Sequence, residues 1–310
     1  MSILVTGAAG LVGQALLRVA AERGRDLVAT DLRRPSGMPA GAAFHPLDVT
    51  GPDADRVIGQ VKPRTVVHLA SIVTPPKGST RAMQYKVDVA GTRNVLRACL
   101  AHGVRRLVVT SSGAAYGYHP DNPDWLTEDA PLRGNEAFAY AHHKRLVEEL
   151  LAEARHKHPR LEQVVLRVGT VLEPGAKNQI TALFERPRLL AIRGSASPFV
   201  FVWTEDLAEI LLRAATNGPT GIYNVAGDGA LSVEDLAARM GKKVQRIPAW
   251  ALKTALAVAH PLGLSPYGPE QVRFLQYRPV LANDRLKSVF GYAPRRSSAE
   301  VFDAWWEAAK

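Results

Sequence analysis

Residues 3–13 read I-L-V-T-G-A-A-G-L-V-G, and this stretch decides the fold of the chain. Its apolar start is typical of a strand buried on both faces, and after the glycines apolar residues recur at helical spacing. Gly7 permits a tight turn, Gly10 lets backbone N–H groups approach an anion, and Gly13 lets the helix pack close to the strand. With the positive end of the helix dipole, these glycines predict a phosphate cradle; the alternative is a glycine-rich turn that binds nothing.

The choice of dinucleotide depends on the residues that end the second apolar run. Asp31 follows L-V-A-T, where its carboxylate can accept hydrogen bonds from an adenosine ribose and would repel a 2′-phosphate. Arg33 and Arg34 come directly afterwards, and a guanidinium is the group that attracts a 2′-phosphate. The sequence therefore favours NAD, leaves NADP open, and adds Arg33 to the candidate cofactor contacts.

Composition narrows the class of protein. The chain has 310 residues, of which 46% are hydrophobic and 22% charged, as is ordinary for a folded soluble protein. Its formal net charge is +10, but the basic residues are scattered, so we expect an anionic cofactor or small-molecule substrate and no nucleic acid. Cys99 is the only cysteine, which excludes an intrachain disulfide and a cysteine-based zinc site, and no metal is expected.

The sequence also bears on location. The most apolar segment, residues 250–264, contains a lysine, a histidine and a proline, and is too short to span a bilayer. The N-terminus enters a strand without the pattern of a signal peptide. We therefore expect a cytoplasmic protein without a membrane partner.

A second motif carries the chemistry. Residues 140–144 read Y-A-H-H-K, which places Tyr140 and Lys144 on one face of a helix predicted over residues 136–156. A phenol is a poor base at neutral pH, but an ammonium one turn away and the positive charge of oxidised nicotinamide would both favour the phenolate. Lys144 can also hold the nicotinamide ribose. We expect His142 and His143, inside the motif, to face solvent or to pack.

Other segments complete a family pattern: H-L-A-S at 68–71, V-D-V-A-G-T at 87–92, S-S-G-A-A-Y-G at 111–117 and F-V-F-V-W-T-E-D at 199–206. With the glycine turn and Y-x-x-x-K, they resemble the extended short-chain dehydrogenase/reductase superfamily, and within it the NAD-dependent epimerase/dehydratase family, over nearly the whole chain.

This resemblance, with the regular alternation of strands and helices, predicts the fold. It implies an α/β protein with a Rossmann-type doubly wound parallel sheet and a smaller C-terminal α/β substrate-binding lobe. Residues 1–168, joined by 199–217, would form the NAD(P)-binding domain, and residues 169–310 the interleaved lobe. Helices predicted over 80–102 and 136–156 match those through which family members pair, so a homodimer is expected by analogy.

The resemblance also implies site residues. Ser112 would hold the substrate oxygen while Tyr140 moves its proton, with Ser111 as the fallback. Thr170, in place of a family asparagine, and Arg278, similar to a diphosphate-binding arginine, are the candidate substrate contacts. Asp48 is expected at the adenine; the alternative is that it caps the next helix. The remaining candidate cofactor contacts are Leu11, Val12, Val49, Leu69, Ala70 and Ser71.

The expected reaction is hydride transfer between nicotinamide and a secondary alcohol or carbonyl carbon. Gly113 and Ala114 stand where family dehydratases carry an acidic pair, which disfavours 4,6-dehydration. A nucleotide-sugar 4-epimerase with tightly bound NAD is the first alternative. A non-catalytic NAD(P)-sensing protein is the second, and the intact set of Ser112, Tyr140 and Lys144 argues against it. Some apolar residues of the C-terminal half could line a pocket for a less polar alcohol or ketone.

Overall fold

The computed structural model describes residues 2–76, 78–176, 178–265 and 268–310. A parallel sheet of seven strands, in the order β10-β6-β5-β4-β1-β2-β3, forms its centre. The sheet strands are β1 (Ile3–Thr6), β2 (Leu27–Asp31), β3 (Phe44–Pro46), β4 (Thr65–His68), β5 (Arg106–Ser112), β6 (Glu162–Val168) and β10 (Gly221–Val225). The smaller strands β7 (Thr170–Leu172), β8 (Arg188–Ile192), β9 (Phe201–Trp203) and β11 (Lys243–Ile247) form two parallel pairs, β7-β9 and β8-β11.

Helices cover both faces of the large sheet. The N-terminal part contains α1 (Leu11–Glu22), α2 (Asp53–Val61), α3 (Arg81–Tyr85), α4 (Gly91–Ala101) and α5 (Ala139–Lys157), with a π-helical turn at Lys86–Ala90 and a 3₁₀ turn at Gly113–Tyr116. The rest contains α6 (Thr181–Phe184), α7 (Thr204–Thr216), α8 (Val233–Met240), α9 (Ala249–Ala259), α10 (Gln271–Gln276), α11 (Asp284–Ser288) and α12 (Ser298–Glu307). The helix predicted over 80–102 is therefore interrupted by a π turn.

Alternation along β1 shows how the layers form. Ile3 and Val5 pack on the side of α1 and α7, whereas Leu4 packs on the side of α2, α4 and α5. All three side chains are buried, as a strand covered on both faces requires. The predicted Rossmann-type doubly wound parallel sheet is confirmed.

The C-terminal lobe has an aromatic core of its own. Strand β9 contributes Phe201 and helix α12 contributes Phe302 and Trp305, and these pack with Phe184 and Phe199. The chain crosses between this lobe and the sheet more than once, because α7 packs against α1 and β10 pairs with β6. The domain boundaries given by the sequence stay a prediction.

A buried ion pair connects α5 to the sheet. The guanidinium of Arg167, in β6, donates to both carboxylate oxygens of Glu148, in α5, over distances of 2.8–3.0 Å. Both side chains are 4% exposed. Ser111 donates to the same carboxylate at 2.5 Å, and Arg167 donates to the hydroxyl of Tyr116 at 2.8 Å. Burial opposes the charge of Arg167, but the hydrogen bonds and charge of Glu148 outweigh it and raise its pKa.

We expect Glu148→Gln to destabilise the fold by about 3–5 kcal/mol, because it leaves a buried guanidinium without a counter-charge. The measurement is urea unfolding followed by circular dichroism. Glu149→Gln is the control, since Glu149 is 57% exposed and its replacement should change the free energy of unfolding by less than about 0.5 kcal/mol. Equal stability of the two variants would contradict the prediction.

Candidate active site

The glycine turn brings three backbone segments together. Gly7 has φ +70°, and a Cβ placed on it would lie 2.6 Å from the backbone N of Ala70. A Cβ on Gly13 would lie 2.4 Å from the carbonyl oxygen of Gly7. Both positions therefore require glycine. Gly10 is the N-cap of α1 and provides no side-chain cap, so the first turn of α1 offers backbone N–H groups to a ligand.

Asp31 and Asp48 lie at the ends of the strands beside this turn. The carboxylate of Asp31 accepts hydrogen bonds from Ala9 N–H (2.9 Å) and Leu32 N–H (2.7 Å), which ties β2 to the glycine turn. Asp48 accepts from Thr50 N–H at 2.8 Å, and α2 begins after Pro52, so Asp48 does not cap α2.

The other predicted cofactor contacts follow the same edge of the sheet. Arg33 is exposed after β2, Val49 is buried after β3, and Leu69, Ala70 and Ser71 are half-buried after β4. Leu11 and Val12 lie in the first turn of α1.

A chain of buried hydrogen bonds joins β1, β4 and α4. His68 contacts the hydroxyl of Thr6 through Nδ1 (2.7 Å) and that of Thr92 through Nε2 (3.0 Å). Because the Thr92 hydroxyl donates to the carbonyl of Asp88 at 2.6 Å, it accepts from His68 Nε2–H, and Nδ1 then accepts from Thr6. The imidazole is thus neutral. Burial and the charge of Lys144 lower its pKa to about 3.

Asp88, in the π turn, is a hub between the β4 loop and α5. One carboxylate oxygen accepts from the Ser71 hydroxyl (2.9 Å) and Ile72 N–H (2.8 Å), and the other lies 3.3 Å from His143 Nδ1. Burial opposes the ionised form, but His143, the charge of Lys144 and the two donors outweigh it and lower the pKa of Asp88. The sequence predicts only a packing or solvent-facing role for His143; the structure gives it this buried partner.

Helix α5 carries the Y-x-x-x-K pair. Lys144 is 5% exposed, its Nζ donates to the carbonyl of Thr110 at 3.0 Å, and it lies 5.6 Å from the centre of the half-buried Tyr140 ring. Ser112 ends β5 and caps the 3₁₀ turn against which α5 packs. Ser111, the fallback residue, instead donates its hydroxyl to Glu148.

Aromatic side chains lie beside Tyr140. The ring of Tyr118 makes edge contacts with Phe138 (5.0 Å between centroids) and Phe274 (5.4 Å). Tyr140 and Tyr277 pack against the same small cluster. Burial raises the pKa of Tyr118, so this phenol stays protonated. Sequence analysis did not single out Tyr118, Phe138 or Phe274, because they come from separate loops and a short helix.

Arg278 is buried near this cluster without an acidic partner. Its guanidinium lies over the ring of Phe199 (3.7 Å) and near that of Phe274 (5.0 Å), and Nη1 donates to the carbonyl and hydroxyl of Ser197. Among the described residues, Nε has no hydrogen-bond partner and no carboxylate lies within ion-pair distance. Burial lowers the pKa of Arg278 to about 9.

Thr170, the other candidate substrate contact, begins β7. Its backbone N–H donates to the carbonyl of Val200. Val200 follows Phe199, whose ring lies under the guanidinium of Arg278.

Comparison with known proteins identifies the family. Residues 3–226 match the NAD dependent epimerase/dehydratase family. The chain belongs to this family. A relative from a Streptomyces species, named 3-diazoavenalumate denitrifying reductase, is 28% identical over 96% of this chain and 97% of its own length.

Solved structures of two UDP-glucose 4-epimerases have the same fold as this family member. The Thermotoga maritima enzyme with UDP-glucose has a TM-score of 0.78 and 20% identity, over 100% of this chain and 98% of its own. The Thermus thermophilus enzyme in complex with NAD has a TM-score of 0.76 and 23% identity, over 99% and 98%.

We expect Asp88→Asn to change how stability depends on pH. Because the folded state lowers the pKa of Asp88, the ionised carboxylate stabilises the protein above its unfolded-state value of about 4, and this stabilisation is lost as the pH falls through the lower folded-state value. The difference in free energy of unfolding between wild type and variant should therefore shrink between about pH 5 and pH 3. Urea unfolding at each pH measures it.

The control for this variant is Asp124→Asn, because Asp124 is exposed. It should differ from wild type by less than about 0.5 kcal/mol. An Asp88→Asn difference that stays constant with pH would show that the charge of Asp88 contributes no stability.

Proposed function

We propose that this chain is an NAD-dependent oxidoreductase that transfers a hydride between nicotinamide and a secondary alcohol or carbonyl carbon. The observation that carries the proposal is the position of Lys144, which is held by the Thr110 carbonyl at the end of β5 and lies 5.6 Å from the Tyr140 ring. The buried ammonium of Lys144 places a positive charge beside the half-buried phenol of Tyr140, an arrangement that suits a proton-transferring tyrosine.

The residues at the glycine turn fit a dinucleotide. Gly7 and Gly13 allow close backbone approach, and the first turn of α1 has N–H groups for a pyrophosphate. Each carboxylate oxygen of Asp31 holds one backbone N–H and retains a lone pair for a ribose hydroxyl, while its charge disfavours a 2′-phosphate. The family, and the NAD complex of the Thermus enzyme, support NAD.

Tyr140, Lys144 and Ser112 would each have a separate role in the reaction. Tyr140 accepts the hydroxyl proton of an alcohol substrate, or donates it to a carbonyl, and the Lys144 ammonium stabilises the phenolate. Ser112 donates a hydrogen bond to the same substrate oxygen. Bound NAD⁺ would accept the hydride in alcohol oxidation, and NADH would supply it in carbonyl reduction. Leu69, Ala70 and Ser71 would border the nicotinamide, and the hydrogen bond from Ser71 to Asp88 keeps that loop in place.

The substrate side favours an apolar compound with one anionic group. Tyr118, Phe138 and Phe274 supply aromatic surface beside Tyr140. Arg278 supplies a buried cation with an unused Nε–H, and a substrate carboxylate or phosphate would provide the missing partner. Thr170 would contribute at the neighbouring strand end. A reductase among the relatives agrees with net redox turnover.

A nucleotide-sugar 4-epimerase is the second candidate function. Arg278 could instead hold a diphosphate, and the structural neighbours named above are UDP-glucose 4-epimerases. The two functions differ in cofactor turnover: a dehydrogenase changes absorbance at 340 nm in step with product, whereas an epimerase recycles bound NAD. The homodimer and the cytoplasmic location stay predictions; sedimentation at micromolar concentration tests the dimer.

We expect Tyr140→Phe to lower kcat/KM by about 10²- to 10⁴-fold, because the proton-transfer group is lost. The affinity for NAD, measured by calorimetry, should change little. Activity is measured on UDP-sugars and on apolar alcohols and ketones, and mass spectrometry identifies any cofactor released from the purified protein. Tyr85→Phe is the control, because it removes the hydroxyl of an exposed tyrosine that makes an edge contact with His143. Unimpaired turnover by Tyr140→Phe would exclude Tyr140 as the proton-transfer group, whereas unchanged function of the variant in cells would favour the non-catalytic NAD(P)-sensing alternative.

We expect Arg278→Met to preserve or raise the melting temperature while weakening anion binding about 10- to 100-fold, because it removes a buried charge that has serine and aromatic contacts but, among the described residues, no carboxylate. The probes are UDP and benzoate, and binding is measured by calorimetry. Arg167→Met is the control, because it leaves the buried carboxylate of Glu148 without a counter-charge and should destabilise the protein. Loss of UDP binding alone would favour the 4-epimerase, and loss of benzoate binding alone the dehydrogenase. Undiminished binding of both probes would exclude Arg278 from the substrate site.

A further inference from the structure

Helix α9 is apolar but not buried. Apart from Lys253 and Thr254 it consists of alanine, leucine, valine and tryptophan, and no residue of it is classed as buried. Trp250 is 74% exposed and Val258 58% exposed, and in the turn that follows Leu262 is 66% and Leu264 77% exposed. A helix of this composition is normally covered on all sides, and a contiguous exposed apolar surface marks an interaction site.

The two sides of α9 differ in burial. The half-buried positions are 249, 251, 252, 256 and 259, and four of them, 249, 252, 256 and 259, repeat at helical spacing on the side where α10 packs. The opposite side carries Trp250, Thr254, Ala257 and Val258. Positions of a helix that face solvent normally carry charged or polar residues, yet Lys253 is the only charged residue of α9. We call Trp250, Val258, Leu262 and Leu264 the docking face.

Exposed basic side chains occupy α9 itself and the elements connected to it or packed against it. Lys253 lies in the helix, Lys243 in the strand that leads to it, and Arg273 in α10. The backbone N–H of Arg193 donates to the carbonyl of Ile247, just before α9 begins. All four side chains are exposed, and none forms an ion pair with a described residue.

The sequence around the helix has the same bias. Residues 242–276 contain five lysines and arginines and one acidic residue, in a chain whose net charge is +10. A second copy of the chain would bring these like charges together across a symmetric interface, which opposes self-association. A partner surface that is apolar and also carries negative charge would complement both the docking face and the basic residues of the neighbouring elements.

We propose that the docking face binds an anionic lipid bilayer surface. In this arrangement α9 lies in the plane of the interface, Trp250 enters the headgroup region, and Lys253 extends its ammonium to lipid phosphates. In the parts of the chain that the structure describes, no helix has both the length and the apolar composition needed to cross a bilayer. Surface binding needs no such helix, so the proposal departs from the expectation of no membrane partner, which rested on the lack of a spanning segment. It does not depend on the proposed reaction.

The test is co-sedimentation of the full-length protein with phosphatidylcholine vesicles, with and without phosphatidylglycerol. We expect binding to the anionic vesicles alone, weaker binding at high salt, and a blue shift of tryptophan fluorescence. The double variant Trp250→Ser/Leu264→Ser should lose about tenfold or more in affinity. Lys253→Glu should weaken binding and its salt dependence. Trp125→Ser is the matched control, because Trp125 is 47% exposed outside this segment.

Circular dichroism and thermal unfolding establish that the variants are folded. Failure of the wild type to sediment with anionic vesicles would overturn the proposal. So would equal binding by the double variant and the Trp125→Ser control. Concentration-dependent dimerisation that the double variant abolishes would assign the docking face to a second copy of the chain and would likewise overturn it.

Discussion

The close approach of three backbone segments at the glycine turn is the constraint on which the rest of the structure depends. The end of β1, the start of α1 and the segment after β4 lie so near one another that a single methyl group at Gly7 or Gly13 would collide with main-chain atoms. Hydrogen bonds extend this contact outward, through Asp31 to β2 and through His68 to α4. The glycine turn therefore belongs to one hydrogen-bonded frame with α4, and the contact between Asp88 and His143 extends this frame to α5.

Two buried arginines differ in how the surrounding protein compensates their charge. Arg167 lies against a carboxylate that uses both oxygens, and its charge is compensated inside the protein. Arg278 is about as deeply buried but has aromatic rings and a serine around it. The first arrangement connects helix to sheet. The second provides hydrogen bonds and aromatic contacts but, among the described residues, no carboxylate, and charged groups in such perturbed environments concentrate at functional sites.

Local patterns in the sequence predicted the sheet, the glycine turn and the Tyr140–Lys144 pair, because each depends on residues a few positions apart. The pair between Asp88 and His143 joins residues 55 positions apart, so in the sequence its aspartate is only one residue of the V-D-V-A-G-T segment. The isolation of Arg278 is a property of everything packed around it. The apolar segment after residue 249 reads as core, and only its position at the surface distinguishes it from a buried helix. The hydrophobicity of a segment does not show whether other residues cover it in the fold.

The π turn at Lys86–Ala90 has a consequence for how this chain can change in length. It contains one residue more than an α-helical turn would, and each residue rotates a helix by about 100°. Deleting one of its residues would remove the extra residue and rotate α3 relative to α4, away from its packing against α5. Apart from Asp88, the stretch should therefore accept a change of side chain more readily than a change of length.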